Sequence, residues 1–211
     1  MGKYITEFIG TFFLVLVVAL TGNAAAIGVV LMVMVFAGGH LSGAHYNPAV
    51  TLAVLIRGKV SRYDAGIYMI VQVLAALVAA LIAKWYVGGM GVVTLDLTGR
   101  VFKAFVSELL GTFALAYVVL NVATSKGTTG NSFYGLAIGL TVFAMAATFG
   151  SFSGGAFNPA VAIGATVIKA FAWENIWIYL VACFGGGLLA ALVFNFVNKE
   201  DKAVPPLPTA N

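Results

Sequence analysis

A short motif occurs twice in the chain, at residues 42–50 and again at residues 153–161. The first copy reads Ser-Gly-Ala-His-Tyr-Asn-Pro-Ala-Val and the second reads Ser-Gly-Gly-Ala-Phe-Asn-Pro-Ala-Val. Proline suits the first position of a helix, and asparagine is a good N-cap residue. Each Asn-Pro-Ala therefore predicts the start of a helix, and the two copies predict equivalent helix starts in the two halves of the chain.

Apolar segments around these motifs indicate a helical integral membrane protein. Only 9% of the 211 residues are charged, whereas soluble domains carry about 25%. The apolar segments are longer than the roughly 10-residue alternating strands of a membrane barrel. Six of them are interpreted as spanning helices, at residues 4–21, 24–37, 65–87, 102–122, 133–149 and 176–197.

Two shorter apolar segments, 48–56 and 159–171, begin at the prolines of the motifs. At about 1.5 Å of rise per residue, they reach only about halfway across a hydrocarbon core about 30 Å thick. We therefore expect two half-helices that enter the membrane from opposite sides and meet near its midplane.

The repetition extends beyond the motifs. Residues 7–12 match residues 108–113, and residues 67–71 match residues 178–182. Each half then has three spanning helices and one half-helix, and because three is odd, the second half must be inverted relative to the first. We predict one channel domain at 1–198, with repeats at about 4–88 and 102–198, and a disordered cytoplasmic tail at 199–211.

Lysine and arginine residues predict the orientation, because they are more frequent in cytoplasmic loops. With the N-terminus inside, seven lie on the cytoplasmic side and four outside. Both termini are thus expected in the cytoplasm, and the short external links favour a cell membrane. The cytoplasmic set is Lys3, Arg57, Lys59, Arg62, Lys126, Lys199 and Lys202, and the external set is Lys84, Arg100, Lys103 and Lys169.

Asn47 and Asn158 are the candidate functional side chains. If the half-helices abut, two positive dipole ends repel cations while two amides donate to a neutral molecule. The glycine- and serine-rich stretches before the motifs, 39–46 and 150–157, are not expected to be helical. Irregular backbone at this depth in a membrane must line a cavity or be buried in protein. The pattern favours a conduction path for small neutral polar solutes.

These motifs resemble the aquaporin and aquaglyceroporin channels of the major intrinsic protein family, over about residues 4–198. The resemblance implies a right-handed bundle of six helices with two re-entrant half-helices, one pore per protomer, and a homotetramer in membrane lipid. It implies a pore centre of Asn47, Pro48, Ala49, Asn158, Pro159 and Ala160, and it implies that Glu7 and Glu108 brace the re-entrant loops. Independently, a carboxylate inside a spanning helix needs partners; loop N–H groups and His45 are plausible ones, and solvation at the membrane edge is the alternative. His45 is also expected to brace the first re-entrant loop.

The chain departs from the family where members usually carry an arginine, directly after the second Asn-Pro-Ala. Val161 occupies that position, and the other three constriction positions fall at Ile27, Ala146 and Gly155. Such a selectivity filter has no charge and no side-chain donor, so we expect it to be wide and apolar. Water, ammonia, carbon dioxide, hydrogen peroxide and small polyols or amides are the candidate solutes.

Other function classes have less support in the sequence. No metal-ligand spacing, phosphate loop or nucleophile–base pair is present, so neither an enzyme nor a cofactor is expected. The net charge of +4 reflects membrane orientation, and no nucleic-acid partner is expected. Two alternatives stay open: a secondary transporter built from inverted repeats, and a non-conducting membrane scaffold of the same fold.

Overall fold

The computed structural model describes residues 1–88 and 92–199. The regular structure of these residues is helical, with short 3₁₀ turns at Lys126–Thr128 and Trp173–Asn175. The predicted disordered tail falls almost entirely outside the described residues. The α-helices are α1 (Gly2–Thr21), α2 (Ala24–Ser42), α3 (Pro48–Ile56), α4 (Arg62–Val87), α5 (Val101–Thr124), α6 (Tyr134–Ser153), α7 (Pro159–Val167) and α8 (Ile176–Val197).

The prediction of six spanning helices and two half-helices is confirmed. In the described part of the chain, α1, α2, α4, α5, α6 and α8 are long and apolar enough to cross a membrane. The half-helices α3 and α7 each have 9 residues and begin at Pro48 and Pro159. α7 is four residues shorter than predicted, because Lys169 adopts a left-handed conformation with φ of 67° and turns the chain back.

The prediction of irregular backbone from residue 39 and from residue 150 is wrong in its extent. α2 continues through Gly39 to Ser42, and α6 continues through Gly150 to Ser153. A glycine inside a helix costs only about 1 kcal/mol, and this cost does not end the helix at Gly39 or at Gly150. Both helices end where a glycine caps them in the left-handed region, at Gly43 and Gly154, each with φ of 87°. Only residues 43–46 and 154–157 lie between the helix ends and the motif asparagines.

The helices pack as two equivalent halves. α1 packs against α4 as α5 packs against α8, and α2 packs against its own counterpart α6. Each half-helix also reaches into the other half, because α3 packs against α8 and α7 packs against α4. This arrangement places the starts of the two half-helices next to each other at the centre of the bundle.

Small residues allow these close approaches. A Cβ on Gly139 would lie 2.5 Å from the Gly28 carbonyl oxygen, and a Cβ on Gly187 would lie 2.5 Å from the Ala49 carbonyl oxygen. Alanines fill the inner face of α4 at full burial. As in other membrane bundles, small side chains let the backbones pack closely, while large apolar side chains such as Leu81 and Phe196 are exposed on the outer surface.

Candidate functional site

The two motif asparagines cap the two half-helices in the same way. Asn47 and Asn158 have extended backbones, with φ of −159° and −158°. Each Oδ1 accepts the N–H of the alanine two residues later, at 2.8 Å from Ala49 and 2.9 Å from Ala160. These bonds satisfy N–H groups that a helix start leaves without partners. They also fix the orientation of both amides.

The amide nitrogen of each motif asparagine donates a hydrogen bond to the opposite half of the chain. Asn47 Nδ2 donates to the Phe157 carbonyl oxygen and Asn158 Nδ2 donates to the Tyr46 carbonyl oxygen, each at 2.9 Å. Tyr46 and Phe157 both have positive φ, 49° and 48°, which is uncommon for aromatic residues. The structure therefore holds two strained backbones whose carbonyls face the asparagine of the other repeat.

The rings of these two residues anchor the loops in the bundle. Tyr46 and Phe157 are each 1% exposed. A Cβ on Gly10 would lie 2.2 Å from the Tyr46 ring, and a Cβ on Gly111 would lie 2.2 Å from the Phe157 ring. The paired glycines of α1 and α5 thus make room for the aromatic rings of the two loops.

Glu7 holds the loop before the first motif. It is fully buried, and its Oε1 accepts the Ser42 hydroxyl at 2.7 Å and the His45 N–H at 2.9 Å. Its Oε2 accepts the Tyr46 N–H at 2.7 Å and the Gln72 amide at 2.8 Å. All four contacts are donors, as a buried carboxylate requires. The alternative that Glu7 is solvated at the membrane edge does not fit this burial.

Glu108 holds the second loop with a weaker fourth partner. It is also fully buried, and its Oε1 accepts the Ser153 hydroxyl at 2.7 Å and the Ala156 N–H at 2.9 Å. Its Oε2 accepts the Phe157 N–H at 2.7 Å, and the Cys183 thiol lies at 3.6 Å. Cys183 stands in the second repeat where Gln72 stands in the first, and a thiol is a weak donor.

Sequence reasoning missed several of these supporting residues. Tyr68 and Tyr179 donate to the carbonyl oxygens of Ser42 and Ser153, at 2.8 and 2.7 Å, at the ends of α2 and α6. Both tyrosines lie in the repeated segments 67–71 and 178–182. Their equivalent positions were the available signal for a shared role.

His45 lies beside the first motif with its ring enclosed. Its Nδ1 is 3.1 Å from the Thr51 hydroxyl, and its ring meets Tyr68 edge-on at a centroid distance of 5.1 Å. Its backbone N–H donates to Glu7. The side chain is 7% exposed, and its ring is held between Thr51 and Tyr68. His40, by contrast, is exposed.

An enclosed cavity lies where the half-helices meet. Asn47 and Asn158 both line it, and the rest of its lining is largely aliphatic. Its water-accessible volume is about 20 Å³, slightly above the roughly 10–15 Å³ that one water needs. The other lining residues are Leu14, Val18, Ile27, Leu31, Ala44, His45, Tyr46, Val50, Leu115, Val119, Ile138, Val142, Gly155, Ala156 and Val161.

Three of the four predicted filter residues line this cavity, namely Ile27, Gly155 and Val161. The fourth, Ala146, is partly exposed and lies beside Gly155, since a Cβ on Gly155 would be 3.5 Å from the Ala146 Cα. Gly155 has φ of 66°, a conformation that favours glycine. In the described part of the chain, no group of three histidine, cysteine or acidic side chains is placed to hold a metal ion.

Comparison with known proteins identifies one family and relatives within it. The model of the major intrinsic protein family matches residues 1–194. The chain is 36% identical to glycerol uptake facilitator protein-like 6 of Lactiplantibacillus plantarum, over 95% of this chain and 100% of that protein. It is 37% identical to aquaporin TIP1-1 of Arabidopsis thaliana, over 83% of this chain and 71% of that protein.

The fold also matches a solved structure. The aquaglyceroporin from Plasmodium falciparum superposes with a TM-score of 0.75 at 23% identity, covering 96% of this chain and 98% of that one. The all-helical membrane fold predicted from the sequence is thereby confirmed. Given the family match over residues 1–194, the chain belongs to the major intrinsic protein family.

Proposed function

We propose that this protein is a passive membrane channel for water and small neutral solutes, and is not an enzyme. The observation that carries the proposal is that Asn47 and Asn158 line one cavity at the junction of the two half-helices. Each amide has two N–H donors, and one of them bonds the opposite loop. The other N–H of each asparagine is the donor that we assign to a molecule in the cavity.

The same junction disfavours cations. Both half-helices begin here, so two positive dipole ends point at the passing molecule. Two amide donors at the centre also orient the water bound there. Its own hydrogen bonds are then donated outward, toward both ends of a single file of waters. That orientation interrupts a continuous chain of proton hops while leaving water free to move.

The proposed selectivity filter is the set Ile27, Ala146, Gly155 and Val161, here called the filter ring. Aliphatic side chains and a glycine supply no charge and no side-chain donor, and the lack of an arginine leaves space at the position of Val161. The cavity volume of about 20 Å³ favours single-file passage and the smallest candidates: water, ammonia, carbon dioxide and hydrogen peroxide. Small polyols and amides are larger than these candidates, and their entry tests the width of the filter ring.

The contacts of the buried carboxylates argue against a secondary transporter. A coupled transporter needs an ionisable group exposed to its substrate path. The two oxygens of Glu7 and of Glu108 are occupied by loop and helix donors, and neither residue lines the cavity. A non-conducting scaffold has no corresponding need for two asparagines facing an open space.

We further propose that the protein is a homotetramer in a cell membrane, in contact with lipid and with both termini in the cytoplasm. The exposed apolar faces of the spanning helices suit lipid and partner protomers. The lysine and arginine distribution supports the orientation.

Osmotic water flux across proteoliposome membranes tests the channel directly. Stopped-flow light scattering should show faster osmotic shrinkage than in empty vesicles, and replacing both Asn47 and Asn158 by alanine should reduce that excess by about tenfold. Leu81→Ala, on the outer surface, is the matched control and should leave the flux unchanged. Wild-type vesicles that shrink no faster than empty ones would refute the channel.

The filter assignment needs a second measurement. Ile27→Phe combined with Val161→Arg should reduce hydrogen peroxide and urea entry relative to water, because it adds bulk and a charge to the filter ring. Unchanged entry of both solutes in the double variant would show that these positions do not form the filter.

A further inference from the structure

We propose that the pore has a second apolar ring, formed by Val35, Ala44, Val50 and Ile138, and that this second ring, rather than the filter ring, limits solute size. The inference rests on the proposed channel function. It identifies specificity-determining residues on the side of the junction away from the filter ring.

The inverted repeat relates the two rings residue by residue. Positions 111 apart are equivalent in the two motifs. The same separation relates Ile138 to Ile27 and Val50 to Val161. It also relates Val35 to Ala146 and Ala44 to Gly155. Because Val161 replaces the family's usual arginine, the two rings are chemically alike, and a solute meets an apolar ring on both sides of the asparagines.

The cavities locate the second ring at a narrowing. Ala44, Val50 and Ile138 line the enclosed cavity of about 20 Å³. Ile138 also lines a much more open cavity of about 600 Å³, together with Val35 and Lys59. Ile138 therefore lies at the boundary between the small cavity and the larger space, and Val35 lines the larger side of that boundary.

A neighbouring cavity shows the same boundary. His45 and Val119 line both the enclosed cavity and a space of about 340 Å³ that Lys59 also lines. We call these two open spaces together the Lys59 vestibule. His45 and Val119 therefore lie, like Ile138, at the boundary between the Lys59 vestibule and the cavity at the asparagine junction.

The second ring is bulkier than the filter ring at two of four positions and equal at the others. Val35 has an isopropyl group where Ala146 has a methyl, and Ala44 has a methyl where Gly155 has only hydrogen. Ala44 keeps this methyl although its φ is 49°, which is unfavourable for any residue with a Cβ.

The side chains of the second ring have little freedom to move aside. Val35 and Val50 are 2% exposed and Ile138 is 4% exposed. β-branched side chains in helices are largely restricted to one rotamer. A solute too large for this ring therefore meets fixed walls, and it loses hydration there without any side-chain donor in return.

Matched substitutions at the two rings test this proposal. Val50→Ala and Val161→Ala remove the same atoms from equivalent sites, because each valine follows Asn-Pro-Ala and is 2% or 3% exposed. We expect Val50→Ala to raise the ratio of glycerol to water permeability at least about threefold in proteoliposomes. Val161→Ala should raise it much less.

Ala44→Gly is the second variant, and it relieves an unfavourable backbone conformation, so it should fold at least as well as the wild type. Like Val50→Ala, it should raise the ratio of glycerol to water permeability. If Val161→Ala raises the ratio as much as or more than both second-ring variants, the second ring does not limit size and the proposal is overturned. Absent water flux in the wild type would instead refute the channel itself, so the two failures are distinguishable.

Discussion

Replacing Glu7 by glutamine probes the loop support with a minimal change in shape. The carboxylate accepts two donors on each oxygen, so an amide must point its NH₂ group at two donors in either orientation. One orientation faces the Tyr46 N–H and the Gln72 amide, and the other faces the Ser42 hydroxyl and the His45 N–H. Both leave two buried donors without an acceptor.

The magnitude follows from the donors that lose their acceptor. Each buried donor left unpaired costs about 1–3 kcal/mol, so Glu7→Gln should lower the free energy of unfolding by about 2–6 kcal/mol. Glu108→Gln can point its NH₂ at the Phe157 N–H and the Cys183 thiol. Because the thiol is a weak donor and loses little, Glu108→Gln should lower the free energy of unfolding by only about 1–3 kcal/mol.

Unfolding midpoints of the purified protein in SDS titrations would measure both changes. The control is Gln72→Cys, which gives the first repeat the weak donor of the second. In that background, Glu7→Gln should cost less than in the wild type, since the two residues interact directly. The reasoning fails if Glu108→Gln destabilises as much as Glu7→Gln, or if Gln72→Cys does not reduce the cost.

Two further predictions concern packing and capping. Gly10→Ala should destabilise the protein by about 1–3 kcal/mol through overpacking, because its Cβ would lie 2.2 Å from the Tyr46 ring. The control is Gly66→Ala, whose Cβ would have no atom within 4 Å and which should be neutral or stabilising in the same SDS titration. Ser61→Ala should cost about 1 kcal/mol, because the Ser61 hydroxyl accepts the Asp64 N–H at 3.0 Å and caps α4. An unchanged midpoint for Gly10→Ala, or for Ser61→Ala, would contradict the corresponding contact.

The spanning segments and half-helix starts could be predicted because their signals are local and strong. Apolar length identifies a spanning helix, and Asn-Pro identifies a helix start whatever surrounds it. Glu7 and Glu108 were also identifiable, since a carboxylate in an apolar segment needs partners. The repetition of each feature at equivalent positions strengthened every one of these interpretations.

The remaining details depend on tertiary contacts that no local pattern contains. The left-handed conformations of Tyr46 and Phe157 run against their intrinsic preferences and exist because the other repeat provides a donor for each carbonyl. The helical continuation past Gly39 is likewise a packing effect, since its propensity alone disfavours it. Gln72 had an overlooked signal, being an amide in an otherwise apolar stretch of α4.

The reciprocal bonds from Asn47 to Phe157 and from Asn158 to Tyr46 tie the two halves together at the midplane. A carrier has to separate its halves at this depth once in every transport cycle. In this molecule, such a separation would break both bonds that join the two halves. A solute that crosses without this rearrangement meets only the barrier of its own desolvation. The solute flux should therefore rise linearly with the concentration gradient and change little with temperature.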